Sequence, residues 1–482
     1  MTTLDVWIRD AAALHPEKPA FVFQGEVITY AQFADLISER AACLLAGGIA
    51  RGDRIAWYGM NNPEAFVLLF AAAKIGAILL PVNWRLSAVE VAEIVENATP
   101  KIVFHDHHFA SQAAGLDVPL VLEIGGDIPL SVNNEQGVPS LNDPLLLVYT
   151  SGSTGRPKGV ILRQKALVAN AQMSVQAHGM RPTDTVLNVL PLFHVGGLNI
   201  LPTPAFSIGA TVELHESFNP TDTALALNRV DLAIVVPTVL AAVMAAPEWR
   251  TKQSETLRGL SIGSTDVPLE MLKAVHACGV PMLQVYGATE TTPFAIFQTV
   301  DTAMINEGSI GIEGANCKIR LVVDDQDVAQ GDAGEIWVKG DNVFTHYWQD
   351  PVETQKALED GWFKTGDVAR QDSDGNYWFV DRIKHVIISG GENIYPSEIE
   401  RLLRDHPKLE EVAVVGAADA RWGEVPIVVA VSKTDCCEAD VVGVLDGKLA
   451  RYKMPKKVLF VDALPRNAMG KVVAADVRAM IH

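Results

Sequence analysis

The sequence predicts an α/β protein of more than one domain, built on a mostly parallel sheet covered by helices. Helical and strand-like segments alternate along the N-terminal part of the chain, which is the order that parallel sheets require. The chain has 482 residues, of which 49% are hydrophobic. A chain of this length and composition can bury a large core and is expected to form two or more domains.

Local signals predict the N-terminal elements one by one. Apolar residues at helical spacing, alternating or continuous apolar runs, and capping residues indicate the following order: a helix over residues 4–11, a strand over Ala20–Phe23, a helix capped by Thr29, a strand over Arg54–Tyr58, a helix over Pro63–Ile75, a strand over Ala77–Val82, a helix over Ser87–Asn97 and a strand over Lys101–His105. The alternation resumes at Leu145, after a loop rich in Gly, Pro and Asn.

Charge and cysteine content exclude several classes of function. The formal net charge of −19 disfavours nucleic acid and anionic membranes as partners, so anionic substrates need local cationic groups. The five cysteines lack metal-ligand or thioredoxin spacing, and the adjacent Cys436 and Cys437 would form only a strained disulfide. The first nine residues do not resemble a signal peptide, and no apolar run approaches membrane-spanning length. We therefore expect a cytoplasmic protein.

A Ser/Thr/Gly-rich stretch follows the apolar run Leu145–Val148, and residues 149–159 read Tyr-Thr-Ser-Gly-Ser-Thr-Gly-Arg-Pro-Lys-Gly. A buried strand that ends in such a loop leaves amides and hydroxyls to donate hydrogen bonds, which suits a polyphosphate. The stretch is not a Walker A loop, because Lys158 stands between Pro157 and Gly159. The alternative, a solvated linker, is disfavoured by the preceding strand. The candidate phosphate-binding residues are Thr150, Ser151, Gly152, Ser153, Thr154, Gly155 and Lys158.

This stretch resembles the phosphate-binding signature of the adenylate-forming superfamily, which includes acyl-CoA synthetases, luciferases and free-standing adenylation domains. The resemblance extends over nearly the whole chain, with six motifs in the family's order. It implies a large N-terminal domain of sheets and helices with a distorted barrel, residues 1–383, and a small mobile α+β C-terminal lid, residues 384–482.

The resemblance also implies a nucleotide site. Tyr286 can stack on adenine, Thr289 can donate to the α-phosphate, and Glu290 offers the hard oxygen ligand that Mg²⁺ prefers. Asp367 resembles the aspartate that accepts both ribose hydroxyls. The adenine-side turn departs from the usual Gly-Gly-Ala-Pro pattern, because residues 263–266 read Gly-Ser-Thr-Asp. The other predicted nucleotide-site residues are Gly263, Ser264, Thr265, Gly287, Ala288 and Arg382.

Several C-terminal residues are implied to serve the two half-reactions. Lys471 resembles the catalytic lysine of the first step, Lys384 the hinge, and Gly391 a position that leaves room for pantetheine. Residues 382–482 contain 15 Lys+Arg and 14 Asp+Glu, a net charge of +1, so residues 1–381 carry −20. A basic run in this part fits either a solvated helix face or a site for the phosphates of coenzyme A: Lys448, Arg451, Lys453, Lys456 and Lys457.

The acyl pocket follows from the motif Pro191-Leu192-Phe193-His194-Val195-Gly196-Gly197 and its neighbours. An isolated histidine is more often a packed core residue, but the resemblance implies that His194 flanks the acyl group and, with Thr150, Glu290 and Lys471, serves catalysis. Polar members would lose hydrogen bonds against an alkyl chain, at roughly 1–3 kcal/mol each. The implied pocket positions are Phe193, His194, Gly197, Asn199, Ser264, Gly287 and Phe294.

We therefore expect an acid–thiol ligase that uses ATP and Mg²⁺ to convert a carboxylic acid to an acyl-adenylate and then to a coenzyme A thioester. An aromatic acid of the hydroxycinnamate or benzoate type is favoured. The alternatives are a medium- or long-chain fatty acid, a carrier protein as the acceptor, a luciferase-like oxygenase and a non-catalytic binding module. The expected partners are small molecules, and a homodimer is left open.

Overall fold

The structure is a computed structural model. It describes residues 3–130, 138–151, 157–249, 256–263, 267, 269–382, 387–394, 396–403, 406–465, 472 and 474–481. By its internal contacts the chain divides into two compact units. The larger unit comprises residues 1–84, 95–148 and 159–381, and the smaller unit comprises residues 85–94, 149–158 and 382–482. The predicted domain boundary at Lys384 lies outside the described residues and stays a prediction.

The helices alternate with strands as expected through the N-terminal part, and the described α-helices are, in order, α1 Asp5–Leu14, α2 Tyr30–Ala46, α3 Pro63–Ile75, α4 Ala88–Ala98, α5 Ala110–Ala114, α6 Gln164–His178, α7 Val195–Asn199, α8 Pro202–Ser207, α9 Pro220–Ala226, α10 Pro237–Met244, α11 Leu269–His276, α12 Pro351–Ala357, α13 Pro396–Leu403, α14 Glu438–Leu445 and α15 Ala474–Ala479.

The described strands are β1 Pro19–Phe23, β2 Glu26–Thr29, β3 Arg54–Tyr58, β4 Ile78–Pro81, β5 Ile102–His105, β6 Val121–Glu123, β7 Pro144–Ser151, β8 Pro157–Arg163, β9 Thr185–Asn188, β10 Thr211–Leu214, β11 Leu232–Val235, β12 Gly259–Gly263, β13 Met282–Tyr286, β14 Ile296–Phe297, β15 Ile312–Glu313, β16 Cys317–Val323, β17 Gln326–Asp327, β18 Ala333–Gly340, β19 Leu358–Glu359, β20 Trp362–Gln371, β21 Tyr377–Arg382, β22 Ile387–Ser389, β23 Glu392–Ile394, β24 Leu409–Asp419, β25 Gly423–Ser432 and β26 Lys457–Phe460.

Two sheets carry the predicted parallel pairing. In the described part of the chain, one has the strand order β15-β14-β13-β12-β11-β9-β10-β1-β2, and its inner pairs from β13 to β1 are parallel. The other has the order β6-β5-β3-β4-β7-β8, with parallel pairing from β6 to β7. An antiparallel sheet follows in the order β17-β16-β18-β20-β19, with β21 beside β20. The fold class predicted from the sequence, α/β with several sheets, is confirmed.

Capping residues explain why the early helices begin where they do. Thr29 accepts a hydrogen bond from the amide of Gln32, whose side chain bonds back to the amide of Thr29, so the predicted cap is a capping box. Asn62 caps α3 ahead of Pro63, and Gly76 ends it at φ +74°. Almost every side chain of α3 is buried, so this helix forms the centre of the core of the larger unit.

The smaller unit contains a five-stranded sheet in the order β23-β22-β25-β24, with β26 beside β25. Apolar side chains are buried on both sides of β25, against α13 and α14 on one side and α15 on the other. The long hairpin β24–β25 is therefore the central element of this unit. Among the described residues of the whole chain, none of the helices has the length and apolar character needed to cross a bilayer.

Candidate active site

The predicted adenine and ribose residues are neighbours in the larger unit. Tyr286 is the last residue of β13, and Asp367 lies in the middle of β20. The Tyr286 hydroxyl donates a hydrogen bond of 2.9 Å to Oδ2 of Asp367. Asp367 is only 7% exposed, and its own amide donates to Oγ1 of Thr365 at 3.1 Å. A half-buried ring and a fixed carboxylate, side by side, form a surface suited to a base joined to a sugar.

The segment after Tyr286 folds back on itself. The amide of Ala288 donates to Oγ1 of Thr291 at 2.9 Å, and residues 289–291 form a single turn of 3₁₀ helix. A Cβ at Gly287 would lie 1.6 Å from the carbonyl oxygen of Pro293. The chain therefore requires glycine at position 287 for its own backbone, whether or not a flat ligand also lies there.

Glu290, the predicted Mg²⁺ ligand, is held from a segment that sequence reasoning missed. The Tyr347 hydroxyl donates to Oε1 of Glu290 at 2.8 Å, and the amide of Phe344 donates to the Glu290 carbonyl at 2.8 Å. No group of three or more His, Cys, Asp or Glu in the described residues could hold a metal ion. A single carboxylate such as that of Glu290 fits the way Mg²⁺ binds beside substrate phosphates, where the protein supplies only one or two carboxylates.

The loop that carries Phe193 and His194 is fixed by a buried asparagine. Asn61, 3% exposed, donates through Nδ2 to the carbonyls of Leu190 and His215 at 3.0 Å each, and its Oδ1 accepts from the amide of Leu192 at 3.0 Å. Its partners lie more than a hundred residues away along the chain, so no local pattern pointed to Asn61. It sets the path of the strand end from which the predicted acyl-pocket residues project.

Phe193 belongs to an aromatic cluster that the sequence did not reveal. Its ring centroid lies 4.5 Å from that of His194 and 5.8 Å from that of Trp84, which meets it edge-on at 85°. Trp84 in turn lies 6.1 Å from Phe109. Phe193 is 4% exposed, whereas His194 is half-buried at the start of α7.

Two other predicted acyl-pocket residues, Gly197 and Asn199, are also needed for the packing of the chain itself. A Cβ at Gly197 would lie 2.2 Å from the carbonyl oxygen of Pro191, so glycine lets α7 fold against the loop before it. Asn199 is fully buried, and its Nδ2 donates to the carbonyl of Thr292 at 3.1 Å. Its Oδ1 is buried without a hydrogen-bond partner among the described residues. The bond from Asn199 joins α7 to the segment that follows Glu290.

Phe294 lies in the core rather than at an open surface. Its side chain is fully buried, and its ring centroid is 6.0 Å from His178 and 5.4 Å from Phe297. Burial lowers the pKa of His178 to about 4, so this histidine is neutral at physiological pH. The Phe294 amide donates to Oδ1 of Asn170 at 3.2 Å. Phe294 therefore packs in the core and anchors the segment that follows Glu290.

In the smaller unit, Thr150 and Lys158 lie on β7 and β8, at the two ends of the predicted phosphate loop. Oγ1 of Thr150 donates to the Lys158 carbonyl at 3.5 Å. Gly391 forms, with Gly390, the turn between β22 and β23, at φ values of +84° and +59°. A two-residue hairpin with positive φ at both positions favours glycine, so the backbone conformation alone explains why residue 391 is glycine.

Lys453 fits neither interpretation of the basic run, and both interpretations stay predictions for its other members. It is 3% exposed, and Nζ donates to Glu90 at 2.9 Å and to Glu398 at 2.6 Å. It therefore belongs neither to a solvated face nor to a surface for phosphates. Buried charges need such pairing because desolvation is costly. The other members of the run are exposed: Lys448, Arg451, Lys456 and Lys457.

Several predicted residues lie outside the described part of the chain. They comprise Gly152, Ser153, Thr154, Gly155, Ser264, Thr265, Lys384 and Lys471. For Ser151 and Arg382 the structure describes the backbone alone. Gly263 ends β12, and a Cβ there would meet the carbonyl oxygen of Val285 at 2.5 Å.

Comparison with known proteins identifies the class. The AMP-binding enzyme family matches residues 8–348, and the AMP-binding enzyme C-terminal domain matches residues 398–471. The chain therefore belongs to the AMP-binding enzyme family. The predictions of an adenylate-forming enzyme of the acid–thiol ligase class, and of ATP, Mg²⁺ and coenzyme A as its small molecules, are confirmed at the level of this family.

The relatives of similar length are named as CoA ligases or synthases. The chain is 42% identical to the indoleacetate–CoA ligase of Aromatoleum aromaticum, with 99% of this chain and 98% of the relative covered. It is 36% identical to the feruloyl-CoA synthase of an Amycolatopsis species, with 98% of each covered. It is 32% identical to a long-chain-fatty-acid–CoA ligase of Mycobacterium tuberculosis, with 99% of this chain and 98% of the relative covered.

Solved structures give the same family. A double mutant of the o-succinylbenzoate CoA synthetase of Bacillus subtilis, bound to a product analogue, is 30% identical, with a TM-score of 0.89 and 98% of each chain covered. The synthetase of the same organism in complex with ATP and magnesium ion has a TM-score of 0.73 at 30% identity, with 98% of this chain and 99% of that chain covered.

Proposed function

We propose that this protein activates an aromatic carboxylic acid with ATP and transfers the acyl group to coenzyme A. The observation that carries the choice of acid is the aromatic cluster of Trp84, Phe193 and His194 at the predicted acyl side. Flat rings pack well against such a cluster. The relatives named for indoleacetate and ferulate, at 42% and 36% identity, support the same choice.

The first half-reaction joins two anions, so the site must neutralise charge more than it must supply a base. A carboxylate oxygen of the acid attacks the α-phosphorus, and the bond from that phosphorus to the pyrophosphate oxygen breaks. In this proposal Lys471, Lys158 and the hydroxyl of Thr150 stabilise the negative charge, Thr289 donates to the α-phosphate, and Asp367 accepts the ribose hydroxyls.

Glu290 is the residue that would hold Mg²⁺, and the bound ion supplies positive charge to the phosphates. The carboxylate itself is oriented by Tyr347 and by the backbone amide of Phe344. Tyr286 fixes Asp367 in the same way on the ribose side. The two carboxylates that the nucleotide needs are therefore each held by a tyrosine hydroxyl.

The second half-reaction transfers the acyl group to sulfur. The thiol of coenzyme A loses its proton to solvent, its sulfur attacks the acyl carbon, and the bond from that carbon to the adenylate oxygen breaks, releasing AMP. Lys471 is not needed in this step, and the resemblance assigns Lys384 as the hinge that withdraws it. Gly391, with no side chain, leaves room for the pantetheine arm.

A fatty acid is the second candidate, because a relative named for long-chain fatty acids is 32% identical over 99% of this chain. A carrier protein in place of coenzyme A is the third. We also infer a cytoplasmic location, because all five cysteines are free, as in a reducing compartment.

A panel of acids tests the proposal. Purified protein is assayed with ATP, Mg²⁺ and coenzyme A against ferulate, 4-coumarate, indole-3-acetate, benzoate, octanoate and palmitate, and kcat/KM is compared. We expect an aromatic acid to be preferred. A tenfold preference for octanoate or palmitate, about 1.4 kcal/mol, would overturn the choice of acid. Acyl transfer only to a carrier protein would overturn the choice of acceptor.

A further inference from the structure

A short segment, residues 344–348, contacts Glu290 through both its backbone and a side chain. The amide of Phe344 donates to the Glu290 carbonyl, and the hydroxyl of Tyr347 donates to Oε1 of the same residue, each at 2.8 Å. No motif in the sequence marked this segment. Two bonds to one residue fix both its main chain and the direction of its carboxylate.

The Tyr347 ring is itself held by the core. Tyr347 is 6% exposed and Phe344 is 3% exposed, and their ring centroids lie 4.8 Å apart. Phe344 packs edge-on against Phe363 at 5.4 Å. The hydrogen bond from Tyr347 to the Glu290 carboxylate is charge-assisted and partly shielded from water, so it is stronger than a fully exposed one.

The same segment also pairs with the residues that follow the predicted phosphate loop. The amide of Thr345 donates to the carbonyl of Ile161 at 3.1 Å, and the amide of Trp348 donates to the carbonyl of Gly159 at 2.6 Å. Between them, Tyr347 and Val160 form an antiparallel bridge. Residues 344–348 are therefore hydrogen-bonded both to strand β8 and to Glu290, and so link the two.

We propose that Tyr347 is a positioning residue for the Glu290 carboxylate and thereby sets the affinity of the site for Mg²⁺; this inference rests on the proposed function. Without the phenol hydroxyl, the carboxylate loses a hydrogen bond that orients Oε1 before the ion binds. Loss of a partner that orients a metal ligand typically costs 10- to 100-fold in metal affinity or activity.

The test is Tyr347→Phe, which keeps the ring and its packing. At fixed ATP and acid, the Mg²⁺ concentration that gives half-maximal pyrophosphate exchange should rise about tenfold or more, and kcat should recover at high Mg²⁺. A second measurement needs no turnover: with ATP and no acid, the Mg²⁺ concentration that gives half of the ATP-dependent rise in Tm should shift in parallel.

Tyr30→Phe is the matched control, because the buried Tyr30 hydroxyl donates to the Ala210 carbonyl at 2.6 Å, in the same unit but at another place. It should lower Tm without changing the Mg²⁺ dependence. In a Glu290→Gln background, Tyr347→Phe should have little further effect on either Mg²⁺ measurement, because the two residues act as one unit.

The outcomes separate the two proposals. Wild-type protein that exchanges pyrophosphate with none of the acids contradicts the proposed function. An active wild type, with Tyr347→Phe matching Tyr30→Phe in Mg²⁺ dependence, overturns the role of Tyr347. A loss of kcat that high Mg²⁺ does not restore overturns it as well. So does a Tyr347→Phe effect on the Mg²⁺ shift in Tm that is unchanged in the Glu290→Gln background.

Discussion

Replacing Asn61 with alanine should destabilise the larger unit and disturb the acid site together. The change removes three hydrogen bonds, to the carbonyls of Leu190 and His215 and from the amide of Leu192. The Leu190 carbonyl keeps a second donor, Nδ2 of Asn188 at 3.0 Å. Two backbone groups are therefore left without their partner, each at about 1–3 kcal/mol when buried.

The expected loss in the free energy of unfolding is thus about 2–6 kcal/mol. Urea unfolding followed by tryptophan fluorescence measures it. Asn142→Ala is the matched control, because Asn142 is exposed and the change should fall within about 0.5 kcal/mol. We also expect the KM for the acid to rise in Asn61→Ala, since the loop to Phe193 and His194 loses its anchor. A loss below about 1 kcal/mol would refute the assignment of Asn61 as that anchor.

Three further predictions concern the proposed catalytic lysine, the proposed hinge and the buried charges. Lys471→Ala should abolish acyl-adenylate formation but spare thioester formation from pre-made acyl-adenylate, because we propose that this lysine serves only the first step; equal losses in the two separate assays would contradict that role. Lys384→Pro should do the reverse, keeping pyrophosphate exchange while thioester formation collapses, since proline would fix the backbone dihedral of the proposed hinge; a joint fall in both rates would exclude Lys384 as the hinge. Burial raises the pKa of Glu398 to about 7, against its ordinary 4.5, so between these values the folded chain binds a proton there that the unfolded chain releases, and this contribution to stability is lost as the pH rises from about 4.5 to about 7. Glu398→Gln should remove that loss, so its Tm relative to wild type should increase from about pH 5 to about pH 8; a flat difference would contradict the pKa.

Local signals were sufficient for much of the fold. The helix Pro63–Ile75 and the strand Arg54–Tyr58 have the predicted bounds, and the Thr29 cap is present as a capping box. Each of these elements is determined by residues that lie within a few positions of one another along the chain. Helix ends and apolar runs are local properties, so a single sequence contains the information that places them.

The supporting residues of the candidate site could not be predicted in the same way. Tyr347 lies 57 positions from Glu290, and Asn61 lies 131 positions from Leu192. Their roles arise from how distant segments pack, which neither periodicity nor composition records. Lys453 is the clearest error of interpretation: its basic neighbours suggested an exposed charge, whereas the partners that bury it, Glu90 and Glu398, lie in other segments.

The smaller unit is made of three separate chain segments, so it cannot be completed until the last of them has been synthesised. Glu90 and Lys453 are separated by 363 positions. At about 5–20 residues per second, the ribosome needs about 20–70 s to travel from one to the other. During that interval residues 85–94 have emerged without Lys453, and Arg85 without Glu392. The segment 85–94 can therefore complete these ion pairs only near the end of translation, long after the strands on either side of it have been made.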